Sequence, residues 1–283
     1  MNVAVLGAGL IGLDLVQKIQ QSPHLACRLV AGRDSTALGL RRAAELGCPT
    51  SAGGAAALLD AGPFDVVFDA SSADAHQQHW AELAATGALL VDLTPSSIGT
   101  PVVPTVNGAE TAACRHLSLI SCGGQAAIPL LHAIARHGTP HYTELVTTAA
   151  SPTAGRATRL NLDEYIDTTQ HAVRAFTGAA TAKVLVNISP AVPPPPFRVS
   201  MTVLSCGLEP QGVRVAVQRA AKQVQAFTPG FAITSCTVTD DRATVAAEVT
   251  ASGARLPGHA GNLHLINAAA VLLAEQRARA KAR

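Results

Sequence analysis

Charge is scarce in this chain: 14% of its 283 residues are Asp, Glu, Lys or Arg, against 48% hydrophobic residues. That balance excludes a disordered chain and fits buried strands covered by helices. The 21 Lys and Arg barely exceed the 19 Asp and Glu. They are scattered apart from the terminal "EQRARAKAR", so there is no basic stripe for nucleic acid, and that tail reads as a solvated helix end. No apolar run is long enough to span a bilayer. The first strand starts at Asn2 or Val3, which leaves no room for a leader segment. A soluble, cytoplasmic protein with neither nucleic-acid nor membrane partners is expected. Paired cysteines are also lacking: Cys27, Cys48, Cys114, Cys122, Cys206 and Cys236 include no CxxC and no zinc spacing. Free thiols in a reducing compartment, and no metal, are expected.

What is present is length enough for two domains. Strands and helices alternate from the start: "NVAVL" then a helix, "ACRLVAG" then "LGLRRAAELG", "DVVFDAS" then "ADAHQQHWAELAATG", and "ALLVDLT". Short connections with helical crossovers imply a parallel sheet wrapped on both faces, the doubly wound arrangement. Beyond Cys122 the pattern changes to an α+β layer. "AAIPLLHAIARHG" reads as a helix, "HYTELVTTAA" as a long strand, and "NLDEYIDTTQHAVRAFTG" as an amphipathic helix with Asn161 as N-cap and Gly178 as stop. "FRVSMTVLSC", "FAITSCTV" and "ATVAAEVTAS" read as antiparallel strands, with "VRVAVQRAAKQVQAF" as a helix among them. The expected division is a dinucleotide-binding domain over 1–121 and a second domain over 122–259. A final helix over 260–283 is expected to return to the first.

The dinucleotide is implied by "GAGLIG". Gly7, Gly9 and Gly12 have G-x-G-x-x-G spacing directly after a strand and open a helix. Gly7 permits the tight turn, Gly9 admits a pyrophosphate to the backbone, and Gly12 allows close packing of helix on strand. The acidic residue that takes the ribose hydroxyls is expected where the second strand ends, and Asp34 is there, which points to NAD. Its neighbour Arg33, with Ser35 and Thr36, suits a 2'-phosphate, so NADP stays open; a solvated loop charge is the plainer reading of Arg33.

"LISCGGQAAIP" brings Cys122 to the carboxyl edge of the sheet, with Gly123 and Gly124 leading into a helix that begins near Ala126. Unpaired amides at a helix N-terminus favour thiolate, and the turn's amides are candidate donors to an oxyanion. On residue type alone a lone cysteine is far more often a small buried filler, the reading given to the other five.

With "VVFDASSADAH", "LVDLTPSSIG", "VPTVN", "SCGGQAAIP", "HYTEL", "NLDEY" and "PGHAGNL" added to the glycine turn, the chain resembles the acylating, CoA-dependent acetaldehyde dehydrogenases that partner 4-hydroxy-2-oxoacid aldolases. The resemblance covers nearly the full length. It implies a Rossmann domain plus an α+β catalytic and dimerisation domain, as in glyceraldehyde-3-phosphate dehydrogenase. It also implies oxidation of a short aldehyde, or reduction of an acyl thioester, with NAD and CoA in a homodimer, with an aldolase subunit as a further partner. By similarity Cys122 would be the acyl-thioester nucleophile. Cofactor contacts would fall on Ala8, Leu10 and Ile11 beside the glycines, on Ser151, Pro152, Thr153, Ala154, Gly155, Arg156, Ala157, Thr158 and Arg159, and on Asn262. The residues alone allow a plainer reading for the last two regions, a polar connection and a helix cap.

The chain departs from the family at Val199. There "FRVSMT" keeps Arg198 but lacks the aspartate that the family places next, and valine can neither take a proton nor orient a water. His141 and Asp163 are the candidate substitutes. The segment between "TSCTV" and "PGHAGN" is also short. Two other readings follow from these departures: a nucleotide-binding paralogue that serves only as a structural partner, and a plain amino-acid or semialdehyde dehydrogenase.

Overall fold

The computed structural model describes residues 1–252 and 256–281. The chain divides into two compact units, Met1–Leu119 with Ile266–Arg283, and Ile120–Leu265.

Unit 1 runs β1 (Asn2–Leu6), α1 (Leu10–Gln21), β2 (Ala26–Ala31), α2 (Leu38–Glu45), β3 (Thr50–Ser51), α3 (Gly54–Ala61), β4 (Val66–Asp69), α4 (Ala73–Leu83), β5 (Leu89–Asp92), β6 (Thr100–Pro101) and β7 (His116–Ser118). Its sheet has the order β3-β2-β1-β4-β5-β7-β6, and all its pairs are parallel. "VVFD" of β4 and "LLVD" of β5 are buried throughout, as strands covered on both faces must be. Ala4, Leu6, Leu29, Ala31, Leu58, Val67 and Leu90 form one core cluster, with Trp80 packed against it. The doubly wound arrangement expected from the alternation is present. Two short edge strands and α3, whose "GGAAALLDA" has no polar face to mark a period, add to it.

Unit 2 runs α5 (Cys122–Ala135), β8 (Pro140–Ala150), α6 (Arg156–Leu160), α7 (Leu162–Thr177), β9 (Thr181–Ser189), β10 (Phe197–Ser205), α8 (Pro210–Gln225), β11 (Phe231–Val238), β12 (Arg242–Val249) and the start of α9 (Gly261–Lys281), whose later turns belong to unit 1. The five-stranded sheet has the order β11-β12-β10-β8-β9. β10 pairs antiparallel with β8 and β12, β11 pairs antiparallel with β12, and β8 pairs parallel with β9. The period-2 pattern of "FRVSMTVLS" buries Phe197, Val199, Met201, Val203 and Ser205 on one face. α5 packs between α7 and α8 and is buried from Gly123 through Leu131. α7 ends at Gly178 in the left-handed conformation with φ 70°, the stop expected of a glycine. Asn161 precedes it as N-cap residue, but its side chain makes no capping bond. No described helix is long and apolar enough to cross a membrane.

Candidate active site

The strand order of unit 1 reverses direction at β1 and β4, which puts a crevice beyond their carboxyl ends. The glycine turn occupies that place. Gly7 has φ 101° and donates its N–H to Ala31 O at 2.8 Å. A Cβ there would lie 2.6 Å from Ala70 O, and one on Gly12 would collide with Gly7 O. A Cβ on Gly9 would meet nothing within 4 Å. Gly9 is the N-cap residue of α1, and no side chain caps that helix. First-turn amides open to space at a residue without a side chain fit a pyrophosphate. Ala8 and Ile11 are half-buried beside the turn and Leu10 is 47% exposed.

Arg33 and Asp34 are both exposed beyond β2. Asp34 Oδ1 accepts from the Thr36 hydroxyl at 2.7 Å and from Thr36 N at 2.8 Å. These bonds hold its carboxyl below the usual carboxylate range, so it is ionised near neutral pH.

The segment at 151–159 is more ordered than a polar connection. Ser151–Thr153 form one 3-10 turn and Arg156–Leu160 a short helix. Arg159 closes it on itself, donating from Nη2 to Ser151 O at 3.0 Å and Ser151 Oγ at 2.9 Å, and from Nε to Ala154 O at 3.0 Å. Its guanidinium therefore ties the loop. Pro152 is exposed, Thr153 and Ala154 are buried, and Gly155 and Thr158 are half-buried. The side chains of Arg156 and Ala157 lie outside the described residues. The structure joins this segment to Asn262, which is inside the first turn of α9 rather than capping it. Asn262 Nδ2 donates to Thr153 O at 3.4 Å. Asn262 is 6% exposed, and its Oδ1 is buried with no partner among the described residues. An orphaned buried amide oxygen is costly and fits a ligand that carries a donor, such as a nicotinamide carboxamide.

Cys122 opens α5, four residues earlier than the sequence suggested. The turn that precedes it is made by Ile120, with φ 66°, and not by the glycines. Those lie in the helix for a different reason, close approach. A Cβ on Gly123 would stand 2.5 Å from Thr147 Oγ1 and 2.6 Å from the Tyr165 hydroxyl, and one on Gly124 would stand 3.1 Å from Ser121 Oγ. Ser121 caps the helix by accepting from Gly124 N at 2.9 Å. Gly123 N donates to the Tyr165 hydroxyl at 2.9 Å, so these two amides are engaged and are not the oxyanion donors expected of them. The sulfur lies 3.4 Å from the same hydroxyl. Cys122 is half-buried. Burial pushes its thiol up, and the bonds from Tyr165, Gly123 N and its own N–H only partly offset this. At this helix terminus desolvation therefore outweighs the favourable amides.

Val199 is fully buried and pairs across the sheet with Thr147, on the face that meets the Cys122 turn. Neither proposed substitute joins it. His141 is exposed at the beginning of β8, six residues before Thr147, and Asp163 is exposed in the first turn of α7. The group that does reach the sulfur is Tyr165, two residues past Asp163 in the same "NLDEY". Helical spacing turns position 165 inward, but nothing in a local pattern says that it meets position 122. Thr147 Oγ1, buried without a partner among the described residues, lies beside Gly123.

Residues 122–257 match a family model described as prokaryotic acetaldehyde dehydrogenase, dimerisation. The chain is 53% identical to an acetaldehyde dehydrogenase of Streptomyces griseus over 98% of its own length and 90% of the relative's. It is 40% identical to one of Desulfitobacterium hafniense over 99% and 96%. Its fold is similar to that of aspartate semialdehyde dehydrogenase II of Vibrio cholerae, solved with ASA, with a TM-score of 0.66 at 14% identity over 98% of each chain. A glycine turn built for a nicotinamide dinucleotide, a thiol at a helix N-terminus and similarity over almost the full length agree: the chain belongs to the acetaldehyde dehydrogenase family and is an oxidoreductase, an aldehyde dehydrogenase.

Proposed function

We propose that the chain converts a short aldehyde, NAD and CoA to acyl-CoA and NADH, or runs the reverse, through a thioester on Cys122. The observation that carries this is a partly buried sulfur at the first position of α5, in contact with a hydroxyl that is itself held by a backbone amide. The nicotinamide, when bound, accepts a hydride. The Cys122 sulfur attacks the carbonyl carbon; a C–S bond forms and the carbonyl electron pair moves to oxygen. As that pair returns, the C–H bond breaks with loss of hydride, and an acyl thioester remains on Cys122. The CoA sulfur then attacks the acyl carbon, the bond to Cys122 breaks, and one proton is released for the CoA thiol consumed.

Gly7, Gly9, Gly12 and the first turn of α1 would hold the pyrophosphate, with Ala8, Leu10 and Ile11 against it. Asn262 and the 151–159 segment would hold the nicotinamide end. Asp34 favours NAD, because an ionised carboxylate at the ribose repels a 2'-phosphate, although Arg33 keeps NADP accessible. The dimerisation match supports a homodimer; an aldolase subunit as outer partner rests on the resemblance alone.

The test follows NADH and acyl-CoA with short aldehydes, with and without CoA, for the natural chain and for Cys122→Ser. Loss of the nucleophile is expected to lower turnover on the order of a thousandfold or more. An unchanged rate in that variant would remove Cys122 from the mechanism.

A further inference from the structure

We propose that Tyr165 is a catalytic residue whose hydroxyl donates a hydrogen bond to the Cys122 sulfur, stabilising it as attacking thiolate and again as leaving group. The assignment rests on the reading of Cys122 as nucleophile and adds the group that makes it one.

The direction of the bonds follows from their acceptors. The Thr169 hydroxyl lies 2.6 Å from Tyr165 O, a carbonyl that can only accept, so Thr169 donates there. The 2.7 Å contact between Ser121 and Thr169 must then be donated by Ser121, which also accepts from Gly124 N. The phenol oxygen accepts from Gly123 N, and an amide donating to that oxygen strengthens the phenol as a donor. Its own proton has two acceptors in reach, Ser121 Oγ and the sulfur. A thiolate outcompetes a neutral hydroxyl that is already engaged. Burial holds the phenol well above its ordinary pKa, so Tyr165 keeps the proton it donates and acts as a fixed donor rather than a base. Val199 and the unpartnered Thr147 hydroxyl on the sheet side add no charge that would compete for the sulfur. His141 and Asp163 are exposed, and among the described residues Tyr165 is the side chain shown in contact with the sulfur.

The experiment measures the rate of Cys122 alkylation by iodoacetamide against pH, together with steady-state kinetics, for the natural chain, Tyr165→Phe, and the chain with 3-fluorotyrosine at 165. Phenylalanine is expected to move the alkylation midpoint up by about one pH unit or more. It is also expected to lower kcat at least about tenfold, with KM for aldehyde and dinucleotide little changed. Fluorotyrosine, a stronger donor of nearly the same shape, is expected to move the midpoint down; it keeps the test alive should phenylalanine disturb folding through the orphaned Gly123 amide. A midpoint unmoved by fluorotyrosine overturns the proposal. Failure of the natural chain to form acyl-CoA would instead overturn the reading of Cys122 as acyl carrier, while the alkylation midpoints would still decide the role of Tyr165.

Discussion

Unit 1 gathers ions where unit 2 gathers neutral hydroxyls. In unit 1, Asp69 on β4 accepts from His76 Nδ1 and His79 Nδ1, each at 2.8 Å, and His76 Nε2 meets His116 Nε2 at 2.8 Å and Asp92 Oδ2 at 3.4 Å. Asp69, His76 and Asp92 have no exposed surface. In unit 2 the side chains gathered at the Cys122 turn are Ser121, Thr147, Tyr165 and Thr169, none of them charged near neutral pH, and Tyr165 reaches the sulfur. The ionic cluster holds loops: Asp69 fixes Ser71 N and its hydroxyl, and Asp92 fixes Thr94 N and the Ser96 hydroxyl. These loops leave β4 and β5 at the carboxyl edge, where a dinucleotide lies in such sheets. Charge suits a frame that must not move, whereas a neutral surround sets no fixed charge against a sulfur that has to carry one during attack.

The largest effect that would break this comparison is expected from Asp69→Ala. Burial acts to raise the Asp69 carboxyl, but the hydrogen bonds and charges of His76 and His79 outweigh it and hold the group far below its ordinary value. Its loss strands two imidazoles in a dry site, and chemical denaturation should show about 3–5 kcal/mol less stability. A loss below about 1 kcal/mol would mean that the cluster is not the frame of unit 1.

A smaller effect concerns pH. Burial raises Asp92 to about 6, against the pull of His76, Ser96 and Thr94, so between about pH 6 and 4 the native chain holds a proton that the unfolded one lacks. Acidification stabilises through this group. Burial, and then the His76 charge, lower His116 to about 4. Between about pH 6.5 and 4 the unfolded chain holds a proton that native His116 lacks, and acidification destabilises. The two contributions oppose each other over nearly the same window and largely cancel. Asp92→Asn should make stability fall as pH drops, and His116→Gln should make it rise, each by up to about 1.4 kcal/mol per pH unit. Equal slopes in both variants would refute the compensation.

The smallest effect sharpens the other side. Ser121→Ala removes the cap of α5 and should cost about 1 kcal/mol with no change in the pH dependence of stability, since no charge is touched. A new pH dependence would show that the hydroxyl cluster is not neutral.

Local patterns in the sequence were enough for the doubly wound sheet, because "NVAVL", "VVFD" and "LLVD" alternate with helices, and for β10 through its period of two. They were also enough for Gly7, Gly9 and Gly12, whose roles depend on neighbours within one turn. The Ala-rich α3 escaped for want of contrast, and β9 because "TAKVLVNIS" is amphipathic only against its partner strand. Tyr165 could not be read at all, since its importance lies in a contact spanning 43 positions. The same holds for His76 and His116, which are 40 apart and joined only by the fold. The start of α5 was misjudged because two glycines resemble a turn, when they are instead the clearance that Thr147 and Tyr165 require.

Ile120 has a left-handed backbone despite its branched side chain, 2% exposed, and such a conformation costs on the order of 1–3 kcal/mol. Packing of the buried side chain offsets that cost, so the chain would straighten at this point if the interior let go of the isoleucine. The aim of the sulfur is therefore a property of the whole hydrophobic interior behind it. Loosening that interior anywhere should let the nucleophile drift out of line before the unit melts.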